Sequence, residues 1–203
     1  MLVREVRKIS NRKAKVLFED GSSFVLYHGE IREYGIREQE DLPEETARLI
    51  REEILKKRSR LRCMNLLKTS DRTVRELRQR LSLDEYPEDI IEQALEYVAS
   101  FHYTDDGRYA RNYIRQMSSK KSFRQIECEL LRKGVDRETV RAAFSEQEEQ
   151  CADMEAETVR SIVRKRGFDA DTADLQERAK LQRYLLGRGF GYEVIRDVLG
   201  CAD

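Results

Sequence analysis

The sequence predicts a mainly α protein: tandem three-helix repeats in an elongated array, behind a short N-terminal β-hairpin. Three observations lead there. The 203 residues include only two prolines and ten glycines, and 38% of them are charged. That composition suits thin helical modules, each burying one stripe and wetting the rest. Near Asp41 the apolar pattern changes from a period of two to a helical period. Beyond it, one set of apolar positions recurs three times.

The elements follow in order. In "KAKVLFEDGSSFVLY" the runs Val16–Phe18 and Phe24–Tyr27 flank Asp20-Gly21, a hairpin signal because Asp-Gly reaches positive φ at a turn. "VREVRKI" before it offers a third strand. A lone hairpin is marginal in water and should pack on the helices that follow. Asp41 and Pro43 stand where a cap and a first-turn proline belong, ahead of "EETARLIREEILKKRSR" with its stripe Ala47, Ile50, Ile54 and Leu55. Next come the overlaid segments, anchored on Leu81, Leu130 and Leu185. Leu77, Ile126 and Leu181 lie four residues before the anchors; Ile91, Val140 and Ile195 lie ten after; Leu95, Phe144 and Leu199 lie fourteen after. An i, i+4 pair, a turn and a second such pair make a helix–turn–helix unit. "RLRCMNLLK", "DGRYARNYIRQM" and "AETVRSIVRKRG" supply a preceding helix for each. The expected organisation is a hairpin extension over 1–40, a connecting helix over 41–59, and repeats over 60–107, 108–153 and 154–203.

Gly187, Gly189 and Gly191 in "LLGRGFGYEV" evoke a phosphate loop, but they follow a helix and match neither nucleotide-loop pattern. They are expected to punctuate helices, with Gly134 and Gly189 as left-handed C-caps. Asp105-Asp106 looks like a catalytic pair, yet no histidine or second acidic cluster joins it. Capping of the helix "GRYARNYI" is the favoured role, and Tyr109 and Tyr113 should pack between repeats. Cys63, Cys128, Cys151 and Cys201 form no C-x-x-C pair, so no metal site is expected. They read as small buried hydrophobes of a cytoplasmic protein. No membrane span is expected.

These stretches resemble the RecX family of recombination regulators. "RTVRELRQRL" resembles its first-repeat signature, and "FHYTDDGRYARNYI" its most recognisable segment, with Asp105, Asp106, Tyr109 and Ala110 in place. "KKSFRQIECELLRKGV" and "RYLLGRGFGYEVIRDVL" resemble the second- and third-repeat motifs. The N-terminal hairpin resembles an extension of Gram-positive members. Departures are Ser100-Phe101 where leucine-glycine is common, Ser122 where glycine is frequent, and the insertion "GFDADTADLQ". The resemblance implies a curved array of three-helix repeats with no catalytic centre and no cofactor. It also implies a regulator that binds RecA and the RecA–DNA filament and limits filament extension, ATPase and recombinase activity. Such a protein modulates recombinational repair and the SOS response.

Thirty-nine basic residues balance thirty-nine acidic ones, so weak or indirect DNA contact is expected. Basic clusters recur in the repeats: Arg72, Arg75 and Arg78; Lys120, Lys121, Arg124 and Lys133; Arg183, Arg188 and Arg196. Each reads either as a solvated flank of the core stripe or as a face for an acidic partner or phosphates. The competing class is a helix–turn–helix DNA-binding protein, but "PEDIIEQALEYV" and "RETVRAAF" are too acidic or too apolar for recognition helices. No constellation suits a hydrolase. A monomer is expected.

Overall fold

The computed structural model describes residues 1–169 and 172–200, apart from the side chains of residues 148–152. The chain divides into two compact units, Met1–Thr104 and Asp105–Asp203.

The first unit opens with the expected hairpin and the third strand that "VREVRKI" offers: β1 (Val3–Lys8), β2 (Lys13–Phe18) and β3 (Ser23–Tyr27), an antiparallel sheet in that order. Residues of β2 alternate strictly, burying Ala14, Val16 and Phe18 on one face. At the β2–β3 turn Gly21 takes φ +83°, and the Asp20 carboxylate accepts the Ser22 N–H at 2.9 Å. A short helix, α1 (His28–Glu33), follows inside the stretch read as hairpin extension.

The expected cap at Asp41 is not formed. Leu2 and Asp41 pair as an isolated bridge, and Pro43 takes the N-cap position of α2 (Glu44–Leu49). That helix runs through a π segment, Ile50–Leu55, into α3 (Lys56–Thr69). Five-residue spacing puts neighbours on one face in a π turn, and Ile50 and Leu55 are both fully buried. They join Ala47 and Ile90 in the cluster formed by Val16, Phe18, Phe24 and Leu26 of the sheet. The sheet therefore shares its core with the helices.

Repeat 1 comprises α3, α4 (Val74–Leu83) and α5 (Glu88–Ser100). In the second unit, repeat 2 comprises α6 (Asp106–Met117), α7 (Phe123–Arg132) and α8 (Arg137–Ser145). Repeat 3 comprises α9 (Glu148–Lys165), α10 (Leu175–Gly187) and α11 (Tyr192–Leu199). Each has its own core, built on Leu77 and Leu81, on Ile126 and Leu130, and on Leu181 and Leu185. Of the twelve anchor positions in the sequence, eleven are buried and Phe144 is half-buried. Gly134 and Gly189 adopt φ +90° and +81° just past α7 and α10, as a left-handed helix stop requires.

Removing residues 1–40 should lower stability by about 5 kcal/mol or more, because Ile50, Leu55 and Ile90 lose their cover at roughly 1.5–3 kcal/mol each. Calorimetric unfolding of the truncated chain checks this; an unchanged transition would mean that the sheet packs loosely. Leu130→Ala should cost about 2–5 kcal/mol in urea unfolding, the range for a fully buried leucine.

Candidate functional site

The basic residues singled out by the sequence fall into distinct environments. Arg78 on α4 is committed to α5: its guanidinium grips the Glu92 carboxylate with both nitrogens and reaches Glu88 at 2.6 Å. Lys121 donates to both oxygens of Glu129, at 2.7 and 2.6 Å, and the Tyr113 hydroxyl donates to the same carboxylate. The Lys121 ammonium, then that hydroxyl, hold the Glu129 carboxyl below the usual carboxylate range. Lys133 lies 5.7 and 5.8 Å from the ring centres of Tyr109 and Tyr113. Those rings stack on each other and pack against the core of repeat 2. Arg196 pairs with Glu193 at 2.8 Å.

Arg188 follows α10 and reaches back to repeat 2, donating to the Lys120 carbonyl at 3.5 Å and to the Tyr184 hydroxyl at 3.3 Å. Arg72 is half-buried, and its Nε is buried with no hydrogen-bond partner among the described residues. Arg75, Lys120, Arg124 and Arg183 are the four of the ten that are exposed. Arg75 and Arg124 hold the same register, each two residues past the N-cap of its repeat's second helix.

The junction of repeats 2 and 3 is built from polar groups, each with a task. Ser122 caps α7, its Oγ accepting the Gln125 N–H, and its hydroxyl donates to the Arg188 carbonyl at 2.7 Å. Gly189 approaches so closely that a β-carbon there would stand 3.0 Å from that Oγ. The departure at Ser122 thus fastens two repeats together. Thr158 on α9 donates to the Ser118 carbonyl at 2.7 Å. The Glu155 carboxylate, 7% exposed, accepts the Phe123 N–H at 3.2 Å, at the start of α7, where the helix dipole favours negative charge. Sequence reading missed this junction, although the capping pattern Ser-x-x-Gln at 122–125 was its signal.

Asp105 caps α6, accepting the Arg108 N–H at 2.9 Å, which occupies the carboxylate. Among the described residues no group of His, Cys, Asp and Glu is arranged to hold a metal ion. Cys63 is buried, its thiol pushed up to about 11 by that burial. Cys128 is exposed, against the expectation that the cysteines are buried, because it faces outward on α7. The side chains of Cys151 and Cys201 lie outside the described residues. No described helix is long and apolar enough to cross a membrane.

Fold and surface together define a helical-repeat protein with an N-terminal sheet, in which charged groups serve caps, ion pairs and an exposed basic subset. Comparison with known proteins narrows the class. Family models of RecX match in order: the first three-helix domain over residues 60–97, the second over 105–143 and the third over 153–199. The chain is 33% identical over 160 residues to "Regulatory protein RecX" of Serratia proteamaculans, covering 68% of this chain and 93% of that protein. It is 24% identical over 199 residues to the protein of the same name from Clostridium botulinum, covering 96% and 92%. A crystal structure of regulatory protein RecX shares the fold with a TM-score of 0.66 at 17% identity, over 98% of this chain and 99% of that one. RecX from Lactobacillus salivarius does so at 0.64 and 21%, over 72% and 95%. The chain belongs to the RecX family.

Burial pushes the Glu155 carboxyl above the usual carboxylate range, so the folded protein holds that proton more tightly than the unfolded chain. Its stabilising effect is complete below the unfolded pKa and is lost as pH rises through the folded one. Glu155→Gln keeps a carbonyl acceptor for the Phe123 N–H and removes the ionisation. Its melting temperature should therefore exceed that of the wild type at pH 7, with the gap closing at low pH; a lower value at pH 7 would show that the charge stabilises the junction.

Proposed function

We propose that this protein binds RecA and the RecA–DNA filament and limits filament extension, ATPase and recombinase activity, thereby modulating recombinational repair and the SOS response. It acts without catalysis and without a cofactor, as a cytoplasmic monomer whose contact with free DNA is weak. The observation that carries this reading is the ordered match of three RecX domains onto three helical repeats, in a chain whose curated relatives are named regulatory proteins. Balanced charge favours a partner that presents both protein and phosphate over naked duplex.

Among the basic candidates, Arg75, Arg124 and Arg183 are the residues through which an interface is best tested. They are exposed, whereas reversing Arg78, Lys121 or Arg188 would break contacts inside the fold. RecA ATPase and strand exchange on single-stranded DNA, titrated with this protein, test the function; a wild type that leaves both unchanged overturns it. In R75E/R124E/R183E the inhibiting concentration should rise at least about tenfold, a loss of ~1.4 kcal/mol, with the melting temperature unchanged because the three charges are solvated. Higher salt should weaken the wild type in the same direction. A folded triple variant that inhibits at wild-type concentrations removes these arginines from the interface.

A further inference from the structure

Phe144 departs from the rule of the repeats. Its counterparts Leu95 and Leu199 are 6% and 1% exposed, yet Phe144 is only half-buried. Its ring meets that of Phe123 edge-on, the centroids 5.6 Å apart. With Val140 of α8 and Val194 of α11 the two rings line an open groove of about 690 Å³, within the ~300–1,000 Å³ of ligand-binding clefts. Arg124, Arg137 and Arg141 line the same groove, are exposed, and form no ion pair among the described residues. Glu127 is the acidic residue on the rim, and Glu155 is buried beneath, turned to the Phe123 N–H.

We propose that this groove, between repeats 2 and 3, is a docking site for a helical segment of a protein partner, apolar on the face that enters and acidic on its flanks. The apolar lining accepts side chains four apart on such a helix. Arg137 and Arg141, one turn apart on α8, offer guanidinium groups to carboxylates on successive turns. The same arginines would meet phosphates, but Val140 and Val194 beside the two rings favour aliphatic side chains over a stacked base.

The test is an amide-resolved NMR titration of the full chain. The probes are peptides of about twelve residues, three helical turns, with leucine and phenylalanine four apart and flanks of glutamate, glutamine or lysine; oligothymidylate is the fourth. The glutamate peptide should shift the amides of residues 123–127, 137–145 and Val194. It should bind at least tenfold tighter than the lysine peptide and weaken with salt. In R137E/R141E the order should invert, the lysine peptide binding more tightly, a result that general loss of structure cannot mimic. Absence of groove shifts with the glutamate peptide at about 1 mM, equal binding of all three peptides, or stronger groove shifts with oligothymidylate would each overturn the proposal.

Discussion

A three-helix unit of under about fifty residues is too small to enclose much apolar surface, and repeat proteins meet that constraint by stacking units against neighbours. Here each repeat keeps a small core of its own, interlocking the i, i+4 pair of its second helix with that of its third. What such a core leaves uncovered must be closed from outside. At the start of the chain a three-stranded sheet does this, laying Phe18, Phe24 and Leu26 over Ile50, Leu55 and Ile90. Between repeats 2 and 3 the closure is polar. Ser122, Thr158 and Glu155 each satisfy a backbone group that burial would otherwise strand.

The same constraint explains how so much charge fits on a chain of zero net charge. Thin modules expose most of their residues, and short helices expose their ends as well. Carboxylates therefore go to helix starts, as at Asp105, Asp136 and Asp174, each accepting a backbone N–H three residues on. Others clamp neighbouring helices, as Arg78 does with Glu88 and Glu92. The acidity of "PEDIIEQALEYV", which argued against a DNA-reading helix, has a structural cause: Asp89 pairs with Arg51, and Glu88 and Glu92 with Arg78. Once such pairs are set aside, what remains for a partner is a smaller set of exposed cations.

Periodicity made the repeats legible, because apolar spacing reports directly on which face of a helix is buried. Gly134, Gly189 and the Asp105 cap were legible for a related reason: φ and capping chemistry are local. The short α1 helix and the π segment at Ile50–Leu55 were not, since their form depends on a core assembled from distant residues. Among the basic residues, sequence alone could not separate Arg78 from Arg75, three positions apart on one helix. Their fates differ because α5 brings two glutamates to one and none to the other, a fact of tertiary packing.

Comparing the repeats with one another separates scaffold from specialisation, because duplicated units begin with the same demands on each position. Leu77, Ile126 and Leu181 answer one demand in one way. Thr73 and Ser122 answer alike as caps of their helices, and Ser122 also reaches the carbonyl of the following repeat. Phe144 differs, since an aromatic ring stands half-buried where the other repeats bury a leucine, and it meets Phe123 edge to face. A ring left half-exposed beside arginines that form no ion pair among the described residues does little for a scaffold that needs only to stay folded. It makes sense where the missing neighbour is another protein.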